Sequence, residues 1–341
     1  MLDRRKLLRA IAANHRSWFR RRGGVVERCG EIELIVNGRE GTIAFPTRRT
    51  RAAVARALDR AGRLGLRTVS CWSLEEDKAL GTLLIARGFE WGWQPWWMAL
   101  DLADLPDEES RHRVLSRRRG ATHVLAVSEE RRNLGGVVVN PWRGIAGIYD
   151  MGVRPEHRRQ GIGRALSLAA CRLGAELGCT HAVLNATPEG ELLYRTLGFE
   201  RLGAGRTWWR HPGESTTPRE EALVEAIGFG DLERLAILGL TRAELERPIG
   251  GAGSPLTITA LTGRAEVTRW ILERRPELAS APLGDGGETL LHAAIEWDAP
   301  QVAAVALAHG VDPAVRDAIH HGTPRGWAEH FGRDWFGAML R

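Results

Sequence analysis

Lysine is nearly absent from this sequence. Lys6 and Lys78 are the only two, and arginine carries almost all of the positive charge. That bias fits a GC-rich genome as well as selection for binding, so it identifies no ligand. Cysteine is sparse: Cys29, Cys71, Cys171 and Cys179 form no CxxC pair and have no histidine at a zinc-ligand spacing. A recognisable zinc motif is therefore excluded, no metal is expected, and the thiols read as reduced, buried small hydrophobes. No apolar run approaches the length of a bilayer span. The basic stretch Met1–Arg9 is followed by no apolar segment with a small-residue cleavage site. A cytoplasmic protein with no membrane partner is expected.

A chain of 341 residues with 43% hydrophobic content predicts two or three packed domains. The formal charge of +6 is uneven: residues 1–70 carry +11, and residues 214–341 carry −7. A basic first third could attract nucleic acid or a coenzyme phosphate. It could equally face the acidic last third, or be a solvated arginine-rich surface. No nucleic-acid motif accompanies it, so a nucleic-acid partner is not expected.

The informative stretch runs from Tyr149 to Leu166. It reads as strand, turn, glycine loop and helix, with Pro155 closing the strand because proline cannot donate to a ladder. Gly161 and Gly163 precede an apolar-periodic run from Leu166 to Leu177. Glycines at a helix start let bare backbone approach a ligand, and the helix N-terminus attracts anions. Arg158, Arg159 and Arg164 add positive charge, which makes a diphosphate cradle. A GxGxxG dinucleotide reading fails, because the third glycine is missing.

The pattern Arg158-x-x-Gly161-x-Gly163 directly after Val153-x-Pro155 resembles the GNAT acetyltransferase superfamily. The segments 181–187 and 192–199, the latter with Leu193-Tyr194 and Leu197-Gly198-Phe199, resemble that family's next strand, short helix and turn. The resemblance implies an α/β (α+β) fold with mixed central sheets and acetyl-coenzyme A, or another acyl-coenzyme A, as co-substrate. It implies that Met151, Gly152 and Val153 hold the pantetheine and polarise the thioester. Arg158, Arg159, Gln160, Gly161, Ile162, Gly163 and Arg164 would hold the pyrophosphate, with Asn185 as a further binding residue. Tyr194 matches the family tyrosine that protonates the leaving thiolate. For the base, the strand offers Asp150, with Glu189 and Glu191 as runners-up. Thr187 stands where family members often place an asparagine.

The remaining chain divides around this core. Helices are expected at Leu7–Phe19, Thr50–Leu64 and Glu75–Ala86, with strands at Val25–Val36, Gly41–Phe45, Thr68–Trp72 and Trp91–Leu102. Ala86-Arg87-Gly88-Phe89-Glu90 parallels Thr196-Leu197-Gly198-Phe199-Glu200. Residues 1–105 therefore read as a degenerate first copy of the fold, similar to the tandem arrangement of mycothiol synthase. Its loop, Pro46-Thr47-Arg48-Arg49-Thr50-Arg51, has no glycine, so this copy is not expected to hold coenzyme A. The tryptophans Trp91, Trp93, Trp96 and Trp97 read as seam or core rather than a stacking platform. Residues 106–213 form the catalytic copy. It opens with a helix near Ser110–Arg118 and strands at His123–Val127, Gly135–Val139 and Ile145–Val153, with turns at Arg131–Asn133 and Asn140-Pro141.

Beyond the linker 211–218, Ser254-Pro255-Leu256, Thr289-Leu290-Leu291-His292 and Thr323-Pro324 recur at spacings of 35 and 34. Gly263, Asp298 and Gly332 follow each start by nine residues, with Gly230 in phase earlier. This period resembles ankyrin repeats, about four of them over 219–341 in an all-α domain. His292 fits that motif's structural histidine and is assigned no chemistry. The repeats are expected to serve recognition or stability, with a protein partner left open.

The leading expectation is an N-acetyltransferase acting on a primary amine of a small molecule. Two alternatives stand beside it: a protein acetyltransferase whose substrate the ankyrin repeats recruit, and a non-catalytic scaffold that binds coenzyme A. An RNA-directed aminoacyl transferase fits the basic N-terminus but no motif.

Overall fold

A computed structural model of the chain describes residues 3–130 and 132–341. Arg131, part of an expected turn, lies outside the described residues. Contacts divide the chain into two units. The first holds the chain up to Arg48, Ala55–Glu76 and Gly92–Thr207; the second holds Arg49–Val54, Asp77–Trp91 and Trp208–Arg341.

In chain order the first half contains α1 (Arg4–Arg21), β1 (Val25–Cys29), β2 (Ile32–Asn37), β3 (Glu40–Ala44), α2 (Arg51–Arg63), β4 (Thr68–Ser73), α3 (Lys78–Ile85), β5 (Glu90–Trp91) and β6 (Trp96–Asp101). Then follow β7 (Leu115–Arg119), β8 (Thr122–Glu129), β9 (Arg132–Trp142), β10 (Ile145–Val153), α4 (Ile162–Glu176), β11 (His181–Ala186), α5 (Pro188–Arg195), β12 (Glu200–Ala204) and β13 (Arg206–Arg210).

Two mixed sheets result. In the first unit β1, β2, β3 and β4 lie in that order, with Arg206 and Thr207 of β13 beside β4. The seven-stranded sheet runs β12-β6-β11-β10-β9-β8-β7. Sequence order and sheet membership differ at two strands. Strand β6, which precedes β11 by some eighty residues in the chain, is sandwiched between β11 and β12, and β13 leaves for the other sheet. The core of the seven-stranded sheet lies between it and α4, and includes Leu125, Val137, Ile148, Leu166, Cys171, Leu184 and Phe199.

Helix α1 packs against β6, β9 and β10 of the seven-stranded sheet and against β3 of the other. It is broader in burial than an amphipathic stripe: Leu7, Ile11, Ala12, Trp18 and Phe19 are buried, and so are Asn14, His15 and Ser17. Asn14 Nδ2 donates to the Asn140 and Ile145 carbonyls at 3.1 and 3.0 Å. Its Oδ1 accepts from Asn140 Nδ2 at 3.0 Å and from the Tyr149 hydroxyl at 2.8 Å. Gly147 permits this approach, since a Cβ there would lie 2.1 Å from Asn14 Oδ1.

Three local expectations are corrected. Ser110–Arg118 contains no helix: Leu115–Arg119 is a strand whose partner begins after the left-handed Gly120. Arginine's helix propensity is a weak prior that tertiary pairing overrides. Asn140-Pro141 lies inside β9, where Asn140 is buried on Asn14, and the turn falls at Arg143-Gly144, both with positive φ. Val25–Val36 is two strands, broken at the left-handed Gly30.

The second unit is a series of helix pairs. It contains α6 (Pro218–Phe229), α7 (Leu232–Leu238), α8 (Arg242–Glu246), α9 (Pro255–Thr262), α10 (Ala265–Arg274), α11 (Leu290–Glu296), α12 (Pro300–Ala308), α13 (Pro324–Phe331) and α14 (Asp334–Met339). Each pair opens at a Ser or Thr N-cap: Thr217, Ser254, Thr289 and Thr323. Gly230, Gly263, Asp298 and Gly332, the positions in phase by sequence, all have positive φ between 51° and 76°. His292 ties two segments together, with Nδ1 3.1 Å from the Thr289 amide and Nε2 3.1 Å from the Gly322 carbonyl. Burial lowers its pKa, so it stays neutral in this role.

Helix α3 belongs to this unit and packs against α6 and α9. The Gly251 amide donates to Ile85 O at 3.0 Å, and Thr216 Oγ1 donates to Ala86 O at 2.9 Å. Buried Glu225 is paired with Arg87 at 3.1 Å and with Arg51. Leu80, Leu84, Ile85 and Phe89 are fully buried here. A fragment ending at Thr217 would expose this apolar face. The fragment is therefore expected to melt several degrees lower than the full chain and to bind a hydrophobic dye. A monomeric fragment melting at the full-length temperature would contradict this packing.

Candidate active site

Strands β10 and β11 pair in parallel from Ile145–His181 to Ile148–Leu184 and then part. The register of β10 against β9 shifts between Tyr149 and Gly152, which marks a bulge. Asp150 sits in that bulge with φ 51°. Residues Asn185 and Ala186 pair with β6 on their far side. Main-chain groups of Met151–Val153 on the side of β11 are thus left without a strand partner. A Cβ at Gly152 would meet nothing within 4 Å.

A 3-10 turn, Pro155–His157, then leads to the loop. Arg159 and Gly161 both have positive φ, at 61° and 84°. Gly161 is the N-cap of α4, and no side chain caps that helix. Its first-turn N–H groups therefore lack an intrahelical or side-chain acceptor. Arg158, Arg159 and Gln160 are exposed beside them, and Ile162 is buried as the helix's first core residue. A Cβ at Gly163 would lie 3.2 Å from Leu193 Cδ2, so this glycine sets the closeness of α4 to α5. His112 reaches over the loop, its Nε2 2.7 Å from the Gln160 carbonyl.

Arg164 does not stand free at this point. Its guanidinium grips Glu108, with Nε 2.9 Å from Oε1, and Nη1 donates to Thr196 Oγ1 at 2.7 Å. The Arg164 hydrogen bond holds the Glu108 carboxyl below its ordinary range. The Glu108 carboxylate thus already neutralises one of the three arginines that the sequence grouped together.

The two expected proton-transfer residues lie on opposite faces of the sheet. Ala146 faces Gly174 of α4, where an added Cβ would be 2.7 Å away, and the next residue, Gly147, faces Asn14 of α1. Tyr194 belongs to the α4-side core, with its ring 5.6 Å from Phe199. Burial, with the nearby Cys171, pushes its phenol up to about 12. Asp150 is exposed on the α1 side, in a cavity with Trp18. The parting of β10 and β11 is the opening between these faces. Thr187 is the N-cap of α5, accepting from the Gly190 amide at 3.1 Å. Glu191 is buried with Arg195 Nε 3.2 Å away, while Glu189 and half-buried Asn185 lie at opposite ends of the β11–α5 junction. Among the described residues no cluster of three His, Cys, Asp or Glu could hold a metal ion, and no helix is long and apolar enough to cross a membrane.

Residues 120–201 match the family model for the acetyltransferase (GNAT) domain. This stretch is a GNAT acetyltransferase domain. Such domains use acetyl-coenzyme A as co-substrate. The match spans the bulged strand, the glycine loop and the Tyr194 helix. Among solved structures, similarity extends to a GCN5-related N-acetyltransferase from Kribbella flavida at 17% identity, over 60% of this chain and 95% of that one, with a TM-score of 0.49. A tandem GNAT protein from the clavulanic acid biosynthesis pathway is 16% identical over 54% of this chain and 79% of its own, with a TM-score of 0.40. A GCN5-related N-acetyltransferase from Sphaerobacter thermophilus is 14% identical over 53% and 76%, also at 0.40. No curated protein matches the chain.

Sequence reasoning missed the α1 side of the GNAT domain. His15 is fully buried, with its ring 4.8 Å from Tyr149 and 4.7 Å from Phe19. Burial lowers its pKa to about 3, so it is neutral at physiological pH. Its Nδ1 has no hydrogen-bond partner among the described residues. Asn14 and Asn140 gave no signal either, because polar residues on a helix and near a proline read as surface or turn.

Both tyrosines of the chain are buried, and burial raises Tyr149 well above its ordinary value. A phenol whose folded pKa is raised contributes stability below the unfolded value of 10.0 and loses it as pH climbs toward about 12. Alkaline titration is expected to show almost no tyrosinate absorbance at pH 10 while the fold persists. Tyrosinate then appears together with unfolding at higher pH. Full ionisation of both tyrosines near pH 10 with a native circular dichroism spectrum would contradict their burial.

Proposed function

We propose that the chain is an N-acetyltransferase that moves an acetyl group from acetyl-coenzyme A to a primary amine of a small molecule. The observation that carries this reading is left-handed Gly161 heading an uncapped α4, directly after a bulged strand whose parallel partner departs. A Cβ would crowd an anion bound at such a helix start, and the free N–H groups would suit phosphate oxygens. Arg158, Arg159, Gln160, Ile162 and Gly163 form the rest of the diphosphate cradle. Arg164 joins it only by sharing its guanidinium with Glu108. Met151, Gly152 and Val153 offer main-chain groups to the pantetheine arm and thioester carbonyl, and Asn185 lines the opposite strand.

When bound, acetyl-coenzyme A supplies the activated acyl group. Asp150 takes the proton from the acceptor ammonium on the α1 face. Tyr194 keeps its proton up to about pH 12 and can give it to the departing thiolate from the α4 face. The opening between β10 and β11 lets one ligand serve both.

The first copy, 1–105, carries no coenzyme in this reading. Its parallel strands β3 and β4 stay paired to Ala44–Trp72, and the Phe45 amide still donates to Trp72 O at 2.8 Å. No gap opens there, and no glycine follows. The helix pairs of 219–341 are read as ankyrin repeats that support stability or recruit a partner. Their N-caps and left-handed closures at a period near 34 support that reading.

Substituting Gly161→Val is expected to lower coenzyme A affinity at least tenfold by calorimetry, with the fold retained. A valine variant that binds coenzyme A as the parent does would remove the main support. Tyr194→Phe is expected to reduce turnover far more than coenzyme A affinity, because an acid acts only as the thiolate leaves. Wild-type turnover in that variant would return Tyr194 to core packing alone.

A further inference from the structure

The bulge of β10 borders a cavity of about 430 Å³ on the α1 face, lined by Trp18, Arg21, Arg22, Arg119, Thr122 and Asp150 among others. We propose that this cavity binds the acceptor and selects an amine that also carries an anionic group, a carboxylate or a phosphate. The inference rests on the acetyl-transfer reading and adds the substrate class.

Charge pairing inside the cavity is incomplete. The Asp150 side chain has no hydrogen bond or ion pair among the described residues, and its backbone lies in the left-handed region within the bulge. Arg21, Arg22 and Arg119 likewise have no carboxylate within ion-pair distance among the described residues. Elsewhere in the same unit arginines do find carboxylates: Arg20 with Glu33, Arg60 with Glu27, Arg164 with Glu108 and Arg206 with Glu76. Three unpaired guanidiniums therefore face one unpaired carboxylate. A zwitterionic guest would satisfy both signs at once, its ammonium on Asp150 and its anion on the arginines.

The arginines are also held in place. Arg21 Nη1 donates to the Asn140 side-chain oxygen and the Pro141 carbonyl, each at 2.8 Å, and to the Ala121 carbonyl at 3.1 Å. Its guanidinium lies 5.1 Å from the Trp142 ring centroid. Nε and Nη2 have no partner among the described residues. Arg22 lies over Trp18 at 4.7 Å. A planar guanidinium fork with one edge anchored and the other free suits a carboxylate or phosphate better than a neutral group. The end of α1 favours cations by itself, which would explain basic residues in its last turn. It does not explain Arg119, which comes from β7.

The test uses the full chain without coenzyme A and two matched pairs of probes: O-phosphoethanolamine against ethanolamine, and β-alanine against β-alaninamide. Calorimetric titration is expected to show the anionic member of at least one pair binding about tenfold or more tightly than its neutral partner. The two pairs separate a phosphate from a carboxylate source. In the exposed-residue variant Arg22→Gln/Arg119→Gln, checked for native circular dichroism, that preference is expected to fall about threefold or more, because only Arg21 remains to meet the anion. Equal affinity within both pairs, no binding by either anionic amine, or a preference unchanged in the variant would each overturn the proposal. Coenzyme A is titrated separately. Its failure to bind would count against the acetyl-transfer reading, whereas anion-dependent amine binding in the same preparation would still support the cavity's selectivity.

Discussion

Everything at the candidate site depends on how helix α1 is fastened to the seven-stranded sheet. Asn14 carries that fastening through its own side chain, meeting Asn140, the Ile145 carbonyl and the Tyr149 hydroxyl, all buried from the surface. Each buried polar atom left unpaired would cost about 1–3 kcal/mol, so the network is worth keeping complete and admits one registry of helix on sheet. Tyr149 is the last residue before the bulge. Asn14 holds its hydroxyl immediately before β10 departs from regular pairing and Asp150 turns aside.

Two parallel strand pairs, β3 with β4 and β10 with β11, show how small a difference separates a binding gap from a closed sheet. In β3 and β4 the ladder continues through Ala44–Trp72 into the Phe45 amide. In β10 and β11 it ends at Ile148–Leu184, and the bulge carries the next residues away. Only the second pair is followed by a left-handed glycine at a helix start. The opening, the unpaired main chain and the helix terminus therefore arrive together as consequences of one irregularity in one strand.

The strand exchange has a similar economy. Strand β6 fills the place between β11 and β12, so the seven-stranded sheet is incomplete without Trp96–Asp101. Helix α3 likewise packs in the helical unit although it lies far earlier in the chain, and its apolar residues Leu80, Leu84 and Ile85 are fully buried.

The sequence by itself determined the features that are local. The glycine loop, the proline that closes the strand, the short Tyr194 helix and the left-handed positions of the helix pairs are set by residues within a few places of each other. Glycine's tolerance of positive φ and proline's missing donor act at that range. Strand existence and helix periods were legible for the same reason. Only the tertiary structure decided the rest: that Arg164 is shared with Glu108, that Tyr194 and Asp150 face opposite sides, and that Leu115–Arg119 is a strand rather than a helix. It also decided that Arg21, Arg22 and Arg119 converge from two elements nearly a hundred residues apart on one cavity. Those outcomes depend on which surfaces meet through space. A helix propensity or a charge run contains no information about its partner until the long-range hydrogen bonds of Asn14 and the pairing of β6 have chosen it.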